Sequence, residues 1–269
     1  MEKELQDKYE KLKKYTAAFG SAAVAFSGGV DSAFLLYAAR EALKDRVIAV
    51  TAESCLFPKR EQKEASEYCR QLGIRQIIVR PEELKIEGFA ENPPDRCYLC
   101  KRDLFQKLRS AAREQGTETV IEGSNLDDTG DYRPGLRAIA ELGIESPLRA
   151  CGFTKKEIRR LSEALGIPTW NKPSFACLAS RFPYGEIITE EKLGRIEQAE
   201  QLLLDMGFRQ MRVRIHGDIA RIELLPEDFP RFMEEANRLA VYRKFREFGF
   251  SYTALDVMGY RTGSMNELL

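Results

Sequence analysis

Short apolar runs alternate along the first part of the chain with segments whose apolar positions recur at helical spacing. Leu5, Tyr9, Leu12 and Tyr15 predict an amphipathic helix over residues 1–19. Ala23–Phe26, Val47–Thr51, Ile77–Val79 and Thr119–Glu122 read as buried strands. Between them lie predicted helices from Val30 to about Leu43, from about Lys59 to Leu72 with Gly73 as stop, and from about Leu99 to Glu114. Continuous apolar strands alternating with helices predict an α/β fold with a parallel sheet covered on both faces. Ser146-Pro147-Leu148 reads as the end of a fifth strand. Thr154 and Glu157 form a capping-box pattern for the helix that follows. That helix ends at Gly166-Ile167-Pro168, and prolines 168 and 173 around Trp170 mark a boundary near 168–172.

Beyond the boundary the period changes. A helix is predicted over about Thr189–Met206. In Met211–His216, Met211, Val213 and Ile215 face one way, while Arg212, Arg214 and the one histidine face the other. After Gly217-Asp218, Ala220, Ile222 and Leu224 alternate with Arg221 and Glu223, which predicts a hairpin with one polar face. A helix over about Pro226–Glu247 and a strand over Tyr252–Met258 complete a second, smaller α/β domain.

The chemistry concentrates first at Ser27-Gly28-Gly29-Val30-Asp31-Ser32, where a strand meets a helix N-terminus. Glycines let the backbone approach an anion, and the first N–H groups of the helix point at it. Ser27 and Ser32 add hydroxyl donors. Asp31 would repel a phosphate unless a Mg2+ lies between them. The stretch is neither a Walker A loop nor a dinucleotide-binding G-x-G-x-x-G. It resembles the PP-loop of the ATP pyrophosphatases, whose fold is the adenine nucleotide alpha hydrolase-like sheet. Gly123, Asp127 and Asp128 follow the fourth strand on the same rim of the sheet. The two aspartates would complete a Mg2+ site or close an Asx turn. Asp131–Ala138 carries two arginines, for an anionic substrate or for solvent.

Composition narrows the partners. The 269 residues carry 42 basic and 42 acidic side chains, so no global charge draws the chain to nucleic acid or an anionic membrane. No apolar run approaches a membrane span, and the charged start is not a signal peptide. A cytoplasmic location is expected. Six cysteines there read as thiols or metal ligands rather than disulfides. Cys97 and Cys100 form a C-x-x-C. A 4Fe–4S cluster on three thiolates would need a third, for which Cys177 is the best candidate. Cys55, Cys69 and Cys151 read as packing residues.

Ala176-Cys177-Leu178-Ala179-Ser180-Arg181, with the Ser-Gly-Gly-Val-Asp-Ser loop, Asp131–Ala138 and Val213–Asp218, resembles the LarE family over nearly the whole chain. The resemblance implies an ATP-dependent sulfur transferase of nickel-pincer nucleotide synthesis. Its substrate would be pyridinium biscarboxylic acid mononucleotide, each carboxylate being adenylated and converted to a thiocarboxylate. It implies a PP-loop domain over 1–168 and a sulfur-transfer and substrate-binding domain over 169–269. Ser27, Gly28, Gly29, Val30, Asp31 and Ser32 would hold ATP and Mg2+, and Cys177 would deliver sulfur. Arg212 and Arg214 would hold the mononucleotide phosphate, with Arg181 serving the same substrate; the alternative is a solvated basic face. Glu200 and Glu223 stand as metal or substrate ligands or, for Glu200, a surface carboxylate. Family members with one cysteine here surrender its sulfur. Others carry two more and use a 4Fe–4S cluster, and the Arg-Cys-Tyr-Leu-Cys-Lys context of Cys97 and Cys100 resembles those. The family implies a homo-oligomer. A tRNA thiolase of the same superfamily, or a nucleotide- or metal-binding module without turnover, are the competing readings.

Overall fold

The computed structural model describes residues 3–130, 134–173, 175–261 and 263–264. Asp131, Tyr132 and Arg133 of the arginine-bearing loop lie outside the described residues. The chain forms two units. The first runs up to Glu83 and resumes over Asp95–Phe175; the second takes Leu84–Pro94 and the described residues from Ala176 onward.

In the first unit α1 (Lys3–Ala17) leads to β1 (Ala22–Ala25), α2 (Val30–Leu43), β2 (Val47–Ala52), α3 (Lys59–Gln71), β3 (Gln76–Val79), α4 (Arg96–Glu114) and β4 (Val120–Ile121). The strands form a parallel sheet in the order β3-β2-β1-β4. Alternate residues of β1 face opposite ways. Ala22 and Val24 join a core with α1, α2 and α3, whereas Ala23 joins Val50, Val120 and the apolar face of α4. The expected parallel α/β fold, covered on both faces, is present.

The expected fifth strand does not form. Ile121 makes a single parallel bridge to Glu145, and the chain then turns into α6 (Pro147–Ala150), after α5 (Pro134–Glu141). Pro147 has no N–H for a ladder and a φ suited to a first helical turn, so the pairing stops there. α7 (Lys155–Ala164) starts with the predicted capping box of Thr154 and Glu157.

The second unit contains α8 (Glu190–Asp205), β5 (Met211–His216), β6 (Ile219–Leu224), α9 (Phe229–Met233), α10 (Glu235–Glu247) and β7 (Tyr252–Leu255). β5 and β6 are the predicted antiparallel hairpin, and β7 adds parallel to β6. The long helix expected over 226–247 is broken. Pro226 opens a 3-10 turn, Pro230 sits in the first turn of α9, and Glu234 is extended before α10. Each proline suits only a helix start, so two prolines give separate starts. Asn92 ties Leu84–Pro94 to this unit. It is buried at φ 54°, a conformation that Asn tolerates, and its side-chain amide donates to the carbonyls of Phe182 and Pro183 at 3.3 and 2.6 Å. No helix among the described residues is long and apolar enough to cross a membrane.

Candidate functional site

In the first unit the backbone builds the site. The Phe26 N–H donates to the Val50 carbonyl at 2.9 Å, carrying the sheet to the edge of the loop. Gly28 has φ +74°, and a Cβ there would lie 3.0 Å from the Cβ of Ala65 on α3, so the position excludes a side chain twice over. Gly29 caps α2 without any side-chain hydrogen bond, which leaves the first-turn N–H groups available to an anion. The Ser27 and Ser32 hydroxyls lie 3.1 Å apart across the turn. Gly123 lets the chain leaving β4 come against this helix start, since a Cβ would sit 3.1 Å from the Ser32 nitrogen.

These residues border a cavity of about 310 Å³. Ser27, Gly29, Asp31, Ser32, Gly123 and Asp128 line it, with an apolar wall from Val50, Ala52, Phe57 and Phe105. Gly28 and Val30 shape the loop itself. Asp31 accepts from Lys155 Nζ at 2.5 Å through Oδ2, while its Oδ1 is buried without a hydrogen-bond partner among the described residues. Burial pushes the Asp31 carboxyl up, against the opposing pull of Lys155. An orphaned carboxylate oxygen beside a second aspartate, at an anion-binding helix start, fits a Mg2+ arriving with a triphosphate.

Asp127 and Asp128 divide their duties. The Asp127 carboxylate accepts from the Lys155 N–H at 2.8 Å, which ties it to the start of α7, and its own N–H donates to Asn125 Oδ1 at 2.9 Å, so the Asx turn belongs to Asn125. Asp128 accepts from the Asn125 N–H at 2.9 Å and borders the cavity.

The sequence reading missed Lys101, Lys155 and Lys172. Lys172 lies in the proline-flanked boundary stretch. It donates to the Gly28 carbonyl at 3.2 Å and pairs with Glu61 and Glu64 at 2.6 and 2.7 Å. Nothing in the local pattern marks a lysine there as a support of the phosphate loop.

In the second unit side chains build the site. Arg181 is fully buried and forks onto Glu200, with Nε and Nη2 each 2.9 Å from a carboxylate oxygen. Its Nη1 donates to the carbonyls of Ala176 and Cys177 at 2.7 and 3.1 Å. Arg214 forks onto Glu223 at 3.1 and 3.0 Å, and its Nη1 donates to the Ser180 carbonyl at 2.8 Å. The Ser180 hydroxyl donates to the Cys177 carbonyl at 2.8 Å. The turn that carries Cys177 therefore hangs on two buried ion pairs.

The hairpin face bearing these arginines is polar, as expected, but it is buried rather than solvated. Glu200 is buried too, and accepts from the Val213 N–H at 3.0 Å. Among the described residues the network joins Arg181, Arg212, Arg214, Arg221 and Arg261 to Glu200, Glu223 and Asp256. Burial and the neighbouring charges of Arg181 and Arg214 push the Arg212 guanidinium down to about 10, despite Glu200.

Cys97 and Cys100 lie one turn apart at the start of α4, in the first unit, both half-buried. Cys177 is half-buried in the second. Among the described residues no three cysteine, histidine or acidic side chains converge as a metal cage. Burial pushes the Cys69 thiol up to about 12 and raises that of Cys151, so both act as packing groups.

The NAD synthase family model matches residues 4–96. Uncharacterized protein slr1717 of Synechocystis sp. is 40% identical over 98% of this chain and 99% of its own length. Pyridinium-3,5-bisthiocarboxylic acid mononucleotide synthase of Lactiplantibacillus plantarum is 38% identical over 91% of this chain and 89% of its own. A glutamine-hydrolyzing GMP synthase of Aeropyrum pernix is 29% identical over 68% of this chain and 39% of its own.

Proposed function

The chain belongs to the PP-loop ATP pyrophosphatase family of these relatives, and on that premise we propose that it is an ATP-dependent sulfur transferase. Its proposed substrate is pyridinium biscarboxylic acid mononucleotide, and its product carries thiocarboxylates. The reading is carried by one pairing, in a chain similar along nine-tenths of its length to a bisthiocarboxylate synthase. A phosphate loop with an orphaned aspartate oxygen occurs together with a cysteine turn hung on buried arginines.

Ser27, Gly28, Gly29, Val30 and Ser32 hold the phosphates of ATP in this reading, and Gly123 lets them approach. Asp31 and Asp128 hold the Mg2+, which neutralises the triphosphate. A substrate carboxylate oxygen attacks the α-phosphorus, the bond to the bridging oxygen breaks, and pyrophosphate leaves with the electron pair. The acyl-adenylate then has a good leaving group. A sulfur nucleophile attacks its carbonyl carbon and AMP departs. Cys177 presents that sulfur. Where it gives its own, the Cys177 Cα–H proton is then lost and the Cβ–Sγ bond breaks with its electron pair going to sulfur, which frees the thiocarboxylate and leaves dehydroalanine. Burial first, and the charges of Arg181 and Arg214 beside it, hold the Arg212 guanidinium below its usual range, and a bound mononucleotide phosphate would supply the opposite charge that favours its ionised form. Arg181 and Arg214 add charge and hold the turn.

Two sulfur sources fit Cys177: its own thiol, or a 4Fe–4S cluster with Cys97 and Cys100 as further ligands. Among the described residues no three cysteine, histidine or acidic side chains converge as such a cage. Anaerobic protein given ATP and the mononucleotide is expected to release AMP and pyrophosphate and to yield thiocarboxylate by mass spectrometry. Cys177→Ala is expected to keep pyrophosphate release and lose the sulfur product. No pyrophosphate release from the wild type would sink the reading. About four iron and four sulfide per chain, lost in Cys97→Ala, would select the cluster; none after reconstitution would select the thiol. The proposed homo-oligomer is checked by light scattering on the same preparation.

A further inference from the structure

Lys101 is the one basic side chain that borders the cavity among the described residues. It continues the stripe of Leu104, Phe105 and Leu108 along one face of α4, at the position where that face leaves the apolar wall. It has no ion-pair or hydrogen-bond partner among the described residues. Two of the carboxylates that line the cavity are already served. Glu122 accepts from the Ser124 N–H, the Ser124 hydroxyl and the Ser146 hydroxyl, and Glu61 pairs with Lys172 and Arg60. The neighbouring helix also makes room for this lysine. A Cβ on Gly135 of α5 would lie 2.6 Å from Lys101 Cδ and 3.1 Å from its Cε. Glycine at 135 thus leaves the passage along which the Lys101 stem runs.

We propose that Lys101 binds the nucleotide in this cavity, its ammonium donating to phosphoryl oxygens. The inference rests on the cavity being the ATP site. An ammonium is a compact charge with three donors, and here no acceptor among the described residues uses them. ATP brings more negative charge than a helix start and one divalent cation neutralise, and Lys101 supplies the side-chain cation on that wall.

The test is calorimetric titration of the whole protein with ATP and, as an uncharged probe, adenosine. Lys101→Met keeps the stem and removes the charge. It is expected to weaken ATP about ten- to a hundredfold while leaving adenosine unchanged. Lys101→Arg is expected to restore most of the loss. Gly135→Ala is expected to weaken ATP by displacing the stem, and to add nothing in the Lys101→Met background. Unchanged ATP affinity in Lys101→Met, or an equal loss for ATP and adenosine, would overturn the assignment. Wild-type protein that binds no ATP would overturn the reading of the cavity, and this inference with it.

Discussion

The phosphate loop and the Cys177 turn solve the same problem, holding a reactive group still, by opposite means. The first is made of main chain: two glycines, a helix start and a close approach at Gly123. It leaves polar groups unspent, including Asp31 Oδ1. The second is made of long side chains, and both of its forked arginines are spent on Glu200, Glu223 and loop carbonyls. A loop proposed to receive a charged ligand keeps donors and acceptors open. A site meant to hold one residue in place closes them, because a buried charge without a partner is costly.

The contrast is tested most severely at Glu200. Glu200→Leu strands Arg181 in a buried position and is expected to destabilise the second unit by about 3–5 kcal/mol, measured by urea unfolding. A loss below about 1 kcal/mol would mean that the ion pair does not hold the turn. Asp31→Asn should behave in the opposite way. Pyrophosphate release is expected to fall at least about a hundredfold. Stability should change by less than about 1 kcal/mol, because Oδ1 has no hydrogen bond to lose and the Lys155 pair is partly exposed. Gly28→Ala lies between the two. Its left-handed backbone alone costs roughly 1–2 kcal/mol, and the contact with Ala65 adds to it, so the melting temperature and ATP affinity should fall together.

The smallest effect is a pH dependence. Burial pushes the Glu200 carboxyl up, but the charge and hydrogen bonds of Arg181 outweigh it and the net direction is down. A depressed carboxyl contributes stability that is complete above its unfolded value, near roughly pH 4.3, and is lost as pH falls through the folded value below it. Glu200→Gln is expected to flatten that acid limb. An unchanged limb would assign it to other carboxylates.

The two regions also differ in how they could be read in advance. Strand, glycines, aspartate and serine of the phosphate loop are contiguous, and each acts through its own backbone or its neighbour's. The Asx turn beside that loop falls on Asn125, whose side chain takes the Asp127 N–H, while the Asp127 carboxylate goes to the Lys155 N–H, a distant partner that no local pattern announces. The fifth strand was misread because the apolar residues near Pro147 carry no sign of whether a ladder continues; the bridge at Glu145 ends where the N–H is missing. The arginines of β5 were placed on the correct face, but alternation says nothing about what covers that face. Lys101 and Lys172 look like any solvent lysine until α5 and the phosphate loop come against them.

Periodicity and turn chemistry in the chain were enough for the parallel α/β sheet, the glycine turn into the start of α2 and the hairpin, since those depend on residues within a few positions of one another. The attachment of Leu84–Pro94 to the second unit, the burial of Arg181, Arg212 and Arg214, and the pairing of Arg214 with Glu223 were settled only on folding. Those features depend on desolvation, and a side chain loses its water only to whatever distant segment comes to lie over it.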